Sequence, residues 1–392
     1  MVYPRKLFVS LKKHLKQPQV TVITGMRRVG KTTLVKQLLD ESTTNNKHYF
    51  DLERVDNREL FSEKNFDNII ISFERLGLSV GKRLVIALDE IQLLPQITGV
   101  IKYLYDKYKI KFIVTGSSSY YLKNLFSESL SGRKKLFELF PLDFGEFLTF
   151  KEIRYSPLGW KEGEFNNLEY NRLSTYYEEY IRFGGFPQVV LAQSEAEKRD
   201  ILSDIMSSYV NIDIRSLADF SDERNLYSLA KLLAGRVGSR VEYSKLSRLT
   251  GLSRPTVTNY IQFFEKTYLI RTIGVYTKSI DREIVKSRKL YFCDTGLANT
   301  LAELSGGSQF ENTLFNQLAR IGQVRYYALK TGQEIDFILD EVLAVEAKET
   351  PVEADLSYIE RIAATAKVQK VRLVGRHQSP KFTNYSWAGS II

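Results

Sequence analysis

The chain has 392 residues, 43% of them hydrophobic and 26% charged, with 23 glycines and 9 prolines; this balance excludes a disordered or fibrous chain and leaves length for two or three packed domains. One cysteine, Cys293, and the histidines His14, His48 and His377 exclude an internal disulfide and a Cys/His zinc cluster, and they fit a reducing cytoplasm. The 56 basic and 46 acidic side chains leave a net charge of +10, which favours polyanionic partners.

The first segment, Met1 to Lys16, intersperses Arg5, Lys6, Lys12, Lys13 and Lys16 among its apolar positions and so lacks the apolar stretch of a signal peptide. No later stretch approaches a membrane span, so a cytoplasmic protein without a membrane partner is expected. From Val20 to about Phe150, short β-branched runs (Val20 to Ile23, His48 to Leu52, Leu84 to Leu88, Phe112 to Thr115) alternate with helical periodicity. That alternation predicts an α/β domain, residues 1–150, with a parallel sheet flanked by helices.

After the first of these runs comes Gly25-Met26-Arg27-Arg28-Val29-Gly30-Lys31-Thr32, followed by Thr33. This is the G-x-x-x-x-G-K-[ST] pattern in its strand-to-helix context. Glycines let the backbone curl so that successive N–H groups face the phosphates of ATP, and the helix that follows presents its positive dipole end to them. Lys31 is expected to neutralise the β and γ phosphates, and the Thr32 hydroxyl to ligate Mg²⁺. The buried-strand run Leu84 to Leu88 ends in Asp89-Glu90, at the edge where open α/β sheets bind ligands. Asp89 would hold Mg²⁺ through water, and Glu90 would orient and activate the attacking water, which separates a hydrolase from a nucleotide binder. At the end of the next run Thr115 is the first choice for a hydroxyl that senses the γ-phosphate. Arg133 could deliver a guanidinium to the transition state within the chain or across the interface of a homo-oligomer, or belong to an ordinary basic loop with Lys134 and Lys135.

Residues 151–235 read as helical, broken at Gly184, Gly185 and Pro187, and are taken as a lid. Residues 236–288 read as a helix-turn-helix with a wing: Tyr243 to Leu249 is helical, Gly251 breaks it, and Ser253 caps a second helix with Pro255 in its first turn. On that second helix Val257, Tyr260, Ile261 and Phe264 share one face, leaving Arg254, Thr258, Asn259, Gln262 and Lys266 outward as groups able to reach DNA or RNA. The strand-like run Leu269 to Tyr276 and Lys278, Arg282, Lys286, Arg288 and Lys289 would form the wing. The same module could instead pack internally.

In residues 289–392, Glu334 to Leu339 and Val342 to Lys348 alternate as strands joined by a tight turn at Asp340-Glu341. Asp336, Glu346 and Lys348 follow a D…E-x-K arrangement in which two carboxylates hold Mg²⁺ and the lysine stabilises the nucleophile or the developing charge. Asp336 must oppose Glu346 for this to work, which asks for a three-residue connection or a bulge rather than a two-residue turn. Glu311, on the amphipathic run Phe310, Leu314, Leu318 and Ile321, would add an upstream metal carboxylate. Alternating charge on the wet face of a strand gives the same pattern.

The phosphate loop and Asp89-Glu90, together with Phe140-Pro141-Leu142 and Phe144-Gly145-Glu146-Phe147-Leu148, resemble a largely archaeal, prokaryotic family of AAA-type P-loop ATPases with a C-terminal domain of unknown function. Gly184-Gly185-Phe186-Pro187, Lys289-Leu290-Tyr291 and Asp294-Thr295-Gly296-Leu297 extend the likeness over nearly the whole chain, and Arg27 and Arg28 within the loop also look like the family. The resemblance implies that Pro187 contacts the nucleotide and that residues 289–392 are similar to the restriction-endonuclease-like fold. The expected function is an ATP-hydrolysing protein acting on nucleic acid, with a Mg²⁺-dependent nuclease domain controlled by nucleotide state. The alternatives are a slow regulatory ATPase whose C-terminal domains bind DNA or protein without cleavage, and a non-catalytic DNA-binding ATPase such as a transcription regulator.

Overall fold

The computed structural model describes residues 3–116, 130, 132–156, 160, 164–214 and 223–392. They divide into two compact units, one built on Met1–Phe140 with Lys266–Tyr268, the other on Pro141–Ile214, Asp219–Glu265 and Leu269–Ile392.

The first unit is a five-stranded sheet of β1 (Val20–Thr24), β2 (Lys47–Asp51), β3 (Val85–Asp89), β4 (Lys111–Gly116) and β5 (Lys134–Glu138) in the order β2-β3-β4-β1-β5. Every pairing is parallel. β1, β3 and β4 are buried along their whole length, which is why they read as continuous apolar runs rather than alternating ones. Helices Lys6–Leu15, Lys31–Asp40, Asp67–Arg75 and Ile97–Tyr108 flank the sheet with apolar stripes. Among the core side chains, Phe50, Phe61 and Phe73 pack ring against ring with centroids 5.1 to 6.1 Å apart, each burial contributing about 1.5–3 kcal/mol. Because β1 lies beside β4 and β4 beside β3, the carboxyl ends that carry Gly25, Thr115 and Asp89 come together at one edge of the sheet.

The second unit opens on helix Phe144–Phe150, closed by a reciprocal capping box between Asp143 and Glu146. Helices Asn167–Phe183, Pro187–Leu191 and Glu195–Ser208 follow. Between the first two of them Gly184 has φ 74, and a Cβ there would collide with the carboxylate of Asp294, so only glycine fits the turn. Buried Asp294 accepts hydrogen bonds from Gly185 N at 2.8 Å and Leu297 N at 3.0 Å. Those contacts account for the Gly-Gly and Asp-Thr-Gly motifs structurally, and Pro187 is the first residue of its helix.

Helices Tyr243–Thr250 and Arg254–Lys266 meet at Gly251 in the left-handed conformation. The strand expected over Leu269 to Tyr276 is shorter: β6 (Ile270–Ile273) pairs antiparallel with β7 (Lys289–Phe292), and the short helix Ile280–Val285 occupies the connection. Helix Gly306–Ile321 precedes a second sheet of β8 (Val324–Ala328), β9 (Glu334–Leu339), β10 (Leu343–Lys348), β11 (Lys370–Gly375) and β12 (Ser386–Trp387), ordered β12-β11-β10-β9-β8. β8, β9 and β10 run antiparallel, whereas β10, β11 and β12 run parallel, and helix Glu353–Ala366 carries the crossover from β10 to β11. The turn between β9 and β10 is not a two-residue one: Asp340, Glu341 and Val342 all lie between the strands, with Asp340 and Glu341 at φ 49 and 63. Among the described residues no helix is long and apolar enough to cross a membrane.

Candidate functional site

The loop after β1 is shaped by close approach. A Cβ on Gly25 would strike the carbonyl oxygen of Leu139, while Gly30 stands at φ 97 as the N-cap of helix Lys31–Asp40. Met26 and Val29 are buried and anchor the loop from below; Arg28, at φ 63, and Thr33 are exposed. Arg27 lies 3.9 Å from the Glu53 carboxylate. Buried Lys31 folds its ammonium onto the loop, donating to Gly25 O at 2.9 Å and Met26 O at 3.0 Å, so its charge already sits at the concavity that phosphates would fill. Arg5, from just before the first helix, is also buried and donates to Val29 O at 2.8 Å and Phe140 O at 2.7 Å. It ties the loop to the end of the first unit, and nothing local in the sequence signals that contact.

Asp89, 2% exposed at the end of β3, is the hub of the edge. Its Oδ2 accepts from Thr32 Oγ1 at 2.7 Å and from the Tyr49 hydroxyl at 2.6 Å, and its Oδ1 accepts from Thr115 Oγ1. Thr115 in turn accepts from Glu90 N at 3.1 Å. Thr115, expected to sense the γ-phosphate, thus holds Asp89 and the backbone of Glu90. Glu90 itself has φ 56 and ψ 48, sparsely populated for a non-glycine residue, and its carboxylate accepts from Gln92 Nε2. Burial first, then the hydrogen bond to Asp89, push the Tyr49 hydroxyl well above its usual range, so it stays a donor. Burial also raises the Glu53 carboxyl, with Asp51 and Glu90 adding to the rise and Arg27 opposing it. Neutral hydroxyls surround Asp89 without cancelling its charge, and a hydroxyl and a carboxylate oxygen 2.7 Å apart beside a phosphate loop are the hard donors Mg²⁺ takes. The donor set fits a Mg²⁺–nucleotide.

Arg133 is placed elsewhere. Its carbonyl accepts from Val20 N, at the amino end of β1, and its Nε pairs with Asp106 at 2.9 Å. It thus lies at the sheet edge opposite the phosphate loop, and within the chain the structure does not bring it to Lys31.

In the second unit the register Val345↔Phe337 continues so that Glu346 opposes Asp336, as the three-residue connection permits. Asp336 N donates to Glu346 Oε2 at 3.3 Å, Ala347 N donates to Asp336 Oδ2 at 3.0 Å, and Lys348 Nζ bonds Glu346 Oε1 at 3.0 Å. Asp336, Glu346 and Lys348 therefore do share a face. The expected gathering of Glu311, Asp336 and Glu346 around a metal ion does not follow: among the described residues no three His, Cys, Asp or Glu side chains are arranged to hold one. The physical reason is Lys289 of β7. It is 2% exposed, with Nζ 2.9 Å from Glu334, 3.8 Å from Glu311 and 3.8 Å from Asp336. Tyr291 donates to Glu311 at 2.8 Å, and Arg240 pairs with Glu334 at 3.0 Å. The Asp336-Glu346 face offers oxygen ligands, and the Lys289 ammonium lies 3.8 Å from both Asp336 and Glu311.

On helix Arg254–Lys266, Val257, Tyr260, Ile261 and Phe264 are buried, joined by Phe263. Arg254, Asn259, Gln262 and Lys266 are exposed, and Thr258 is half-buried with its hydroxyl donating to Arg254 O at 3.0 Å.

A parallel sheet with this strand order, a G-x-x-x-x-G-K-T loop after β1 and a carboxylate pair after β3 defines a P-loop nucleotide-binding domain. In line with that, residues 17–148 match the family described as "AAA domain", and residues 174–308 match a "Domain of unknown function (DUF8612)". The chain thus carries an AAA domain followed by a domain of unknown function. It is 27% identical over 376 residues to an uncharacterized protein of Methanocaldococcus jannaschii, covering 91% of this chain and 81% of that protein. An uncharacterized protein of Haemophilus influenzae is 28% identical over 343 residues, covering 83% and 82%. Among solved structures, a Signal Transduction ATPase with Numerous Domains protein with a tetratricopeptide repeat sensor, from Pyrococcus horikoshii, aligns over 82% of this chain and 45% of its own at 14% identity and a TM-score of 0.31. AMPPCP-bound DnaA from Aquifex aeolicus aligns over 65% and 86% at 16% identity and a TM-score of 0.28.

Proposed function

We propose that this protein is an ATP-hydrolysing switch whose second unit binds a partner, nucleic acid being the first choice, without cutting it. The observation that carries the ATPase reading is the hub at Asp89, held by Thr32, Tyr49 and Thr115 beside the Lys31 loop. Loop amides and the amino end of helix Lys31–Asp40 bind the β and γ phosphates, and Lys31 exchanges two backbone carbonyls for phosphate oxygens. Thr32 and, through water, Asp89 would hold Mg²⁺, which would supply charge neutralisation on the phosphates. Glu90 accepts the proton of the attacking water, its backbone fixed by Thr115. In this reading Arg133 reaches a nucleotide only from a second copy of the chain, and Pro187 is a candidate for contact with the nucleotide.

The outward Arg254, Asn259, Gln262 and Lys266 favour a nucleic-acid partner, on a helix pair followed by a β6–β7 hairpin as in a winged helix. The order helix, β8, β9, β10, helix, β11 favours a restriction-endonuclease-like fold for the C-terminal domain, and a fold of that kind does not by itself bring cleavage. The test is ATP turnover by purified full-length protein beside Lys31→Ala and Glu90→Gln. Equal turnover in all of them overturns the assignment.

A further inference from the structure

The cation at the C-terminal carboxylate cluster comes from the chain itself, and from an unexpected direction. Lys289 belongs to the β6–β7 hairpin, whereas the carboxylates it meets belong to β9 (Glu334, Asp336) and to helix Gly306–Ile321 (Glu311). The hairpin is stitched to the sheet by backbone as well: Tyr276 N donates to Tyr326 O at 2.6 Å and Tyr326 N to Gly274 O at 3.1 Å. Arg240, bridged to Lys289, adds its own ion pair to Glu334. Burial works to lower the Lys289 pKa, but Asp336, Glu311 and Glu334 outweigh it and hold the ammonium charged. Desolvation and the Asp336 charge push the Glu311 and Glu346 carboxyls up, with Lys289 and Lys348 respectively opposing the rise. Glu311, Glu334 and Asp336 are half-buried around the buried ammonium, and a like-charged set partly withdrawn from water is stabilised by a cation inside it.

We propose that Lys289 is a built-in counter-cation that takes the place of a divalent ion among Glu311, Glu334 and Asp336, so that this centre latches the hairpin to the C-terminal sheet. A divalent ion and the Lys289 ammonium compete for the same carboxylate oxygens, and the ammonium, tethered and already desolvated, wins by effective concentration. Replacing Lys289 by a neutral side chain of similar length leaves the carboxylates without a cation and opens the position to hard divalent ions, which take oxygen ligands. The role is independent of ATP turnover, since none of these residues belongs to the phosphate loop.

The experiment is Mn²⁺ binding to the nucleotide-free full chain, followed by the electron paramagnetic resonance signal of free Mn²⁺. Wild type and Asp336→Asn are expected to bind Mn²⁺ identically, because no ion uses Asp336. Folded Lys289→Met is expected to gain a site at least tenfold tighter than any in wild type, and the further change Asp336→Asn is expected to remove it. Lys289→Arg, which keeps the cation, is expected to behave as wild type. A wild-type Mn²⁺ site that disappears in Asp336→Asn overturns the proposal whether or not Lys289→Met folds, and so does a folded Lys289→Met that gains none.

Discussion

Two carboxylate centres of this molecule, one buried and one half-buried, look alike on paper and differ in what stands around them. Asp89 is held by the hydroxyls of Thr32, Tyr49 and Thr115, which satisfy its lone pairs and leave its charge intact. The Glu311-Glu334-Asp336 centre is held by the Lys289 ammonium, which bonds Glu334 and, 3.8 Å from the other two, offsets part of their charge. A carboxylate wrapped in neutral donors still attracts a cation, whereas one with a cation built in has spent that attraction on the fold. Counting acidic residues in a motif therefore says less about metal chemistry than the charge of the donors that fix them.

The comparison can be broken hardest at the phosphate loop. Lys31→Ala should lower ATP turnover by at least a hundredfold and weaken nucleotide binding, while Glu90→Gln should retain nucleotide and turn over at least tenfold more slowly. Fluorescent-nucleotide titration alongside phosphate release separates the two effects. Tyr49→Phe sharpens the account of the hub. Losing a hydrogen bond to a charged group costs about 1.5–3 kcal/mol where the acceptor stays buried, so the melting temperature should fall by a few degrees, and the Mg²⁺ concentration for half-maximal turnover should rise several-fold. An unaltered Mg²⁺ dependence would make Tyr49 a bystander.

A smaller effect concerns His14, buried at the other edge of the first sheet with Nδ1 2.9 Å from Thr21 Oγ1. Burial, then the charges of Lys111 and Lys135, lower its pKa from 6.5 to about 4. The unfolded chain therefore binds more protons than the folded one between those values, and stability falls as pH falls through that window. Denaturant melts should show a loss of about 2–3 kcal/mol between pH 6.5 and 4 that His14→Gln lacks; parallel pH profiles would contradict it. Smallest is the outward helix face: replacing Arg254 and Lys266 together should flatten the salt dependence of nucleic-acid binding by up to about two phosphate contacts. An unchanged slope would favour internal packing of that module.

What the sequence made legible was local. The phosphate loop, Asp89-Glu90 and the apolar face of Val257, Tyr260, Ile261 and Phe264 are set by spacing within one or two elements, and spacing is what a sequence displays. The facing of Asp336 and Glu346 was legible only as a condition on loop length, since the tight turn expected at Asp340-Glu341 would have broken it and the three-residue connection allows it. Arg5 on Val29 and Phe140, Tyr49 on Asp89 and Lys289 on Glu311 join residues far apart along the chain. Tyr49 sits in Lys47–Asp51, which reads as an ordinary half-buried strand, and Lys289 reads as one more basic residue of a wing. Of the readings left open for Arg133, action within its own chain is the one its place at the amino end of β1 and β5 disfavours, and a sequence does not display which end of a parallel strand a loop meets.

The contrast between the two centres is tested most directly by counting Mn²⁺ ions per chain with a non-hydrolysable ATP analogue bound. The account predicts one ion, weakened or lost in Asp89→Asn and untouched by Asp336→Asn. A second stoichiometric ion that vanishes in Asp336→Asn, or a single ion indifferent to Asp89, would contradict it.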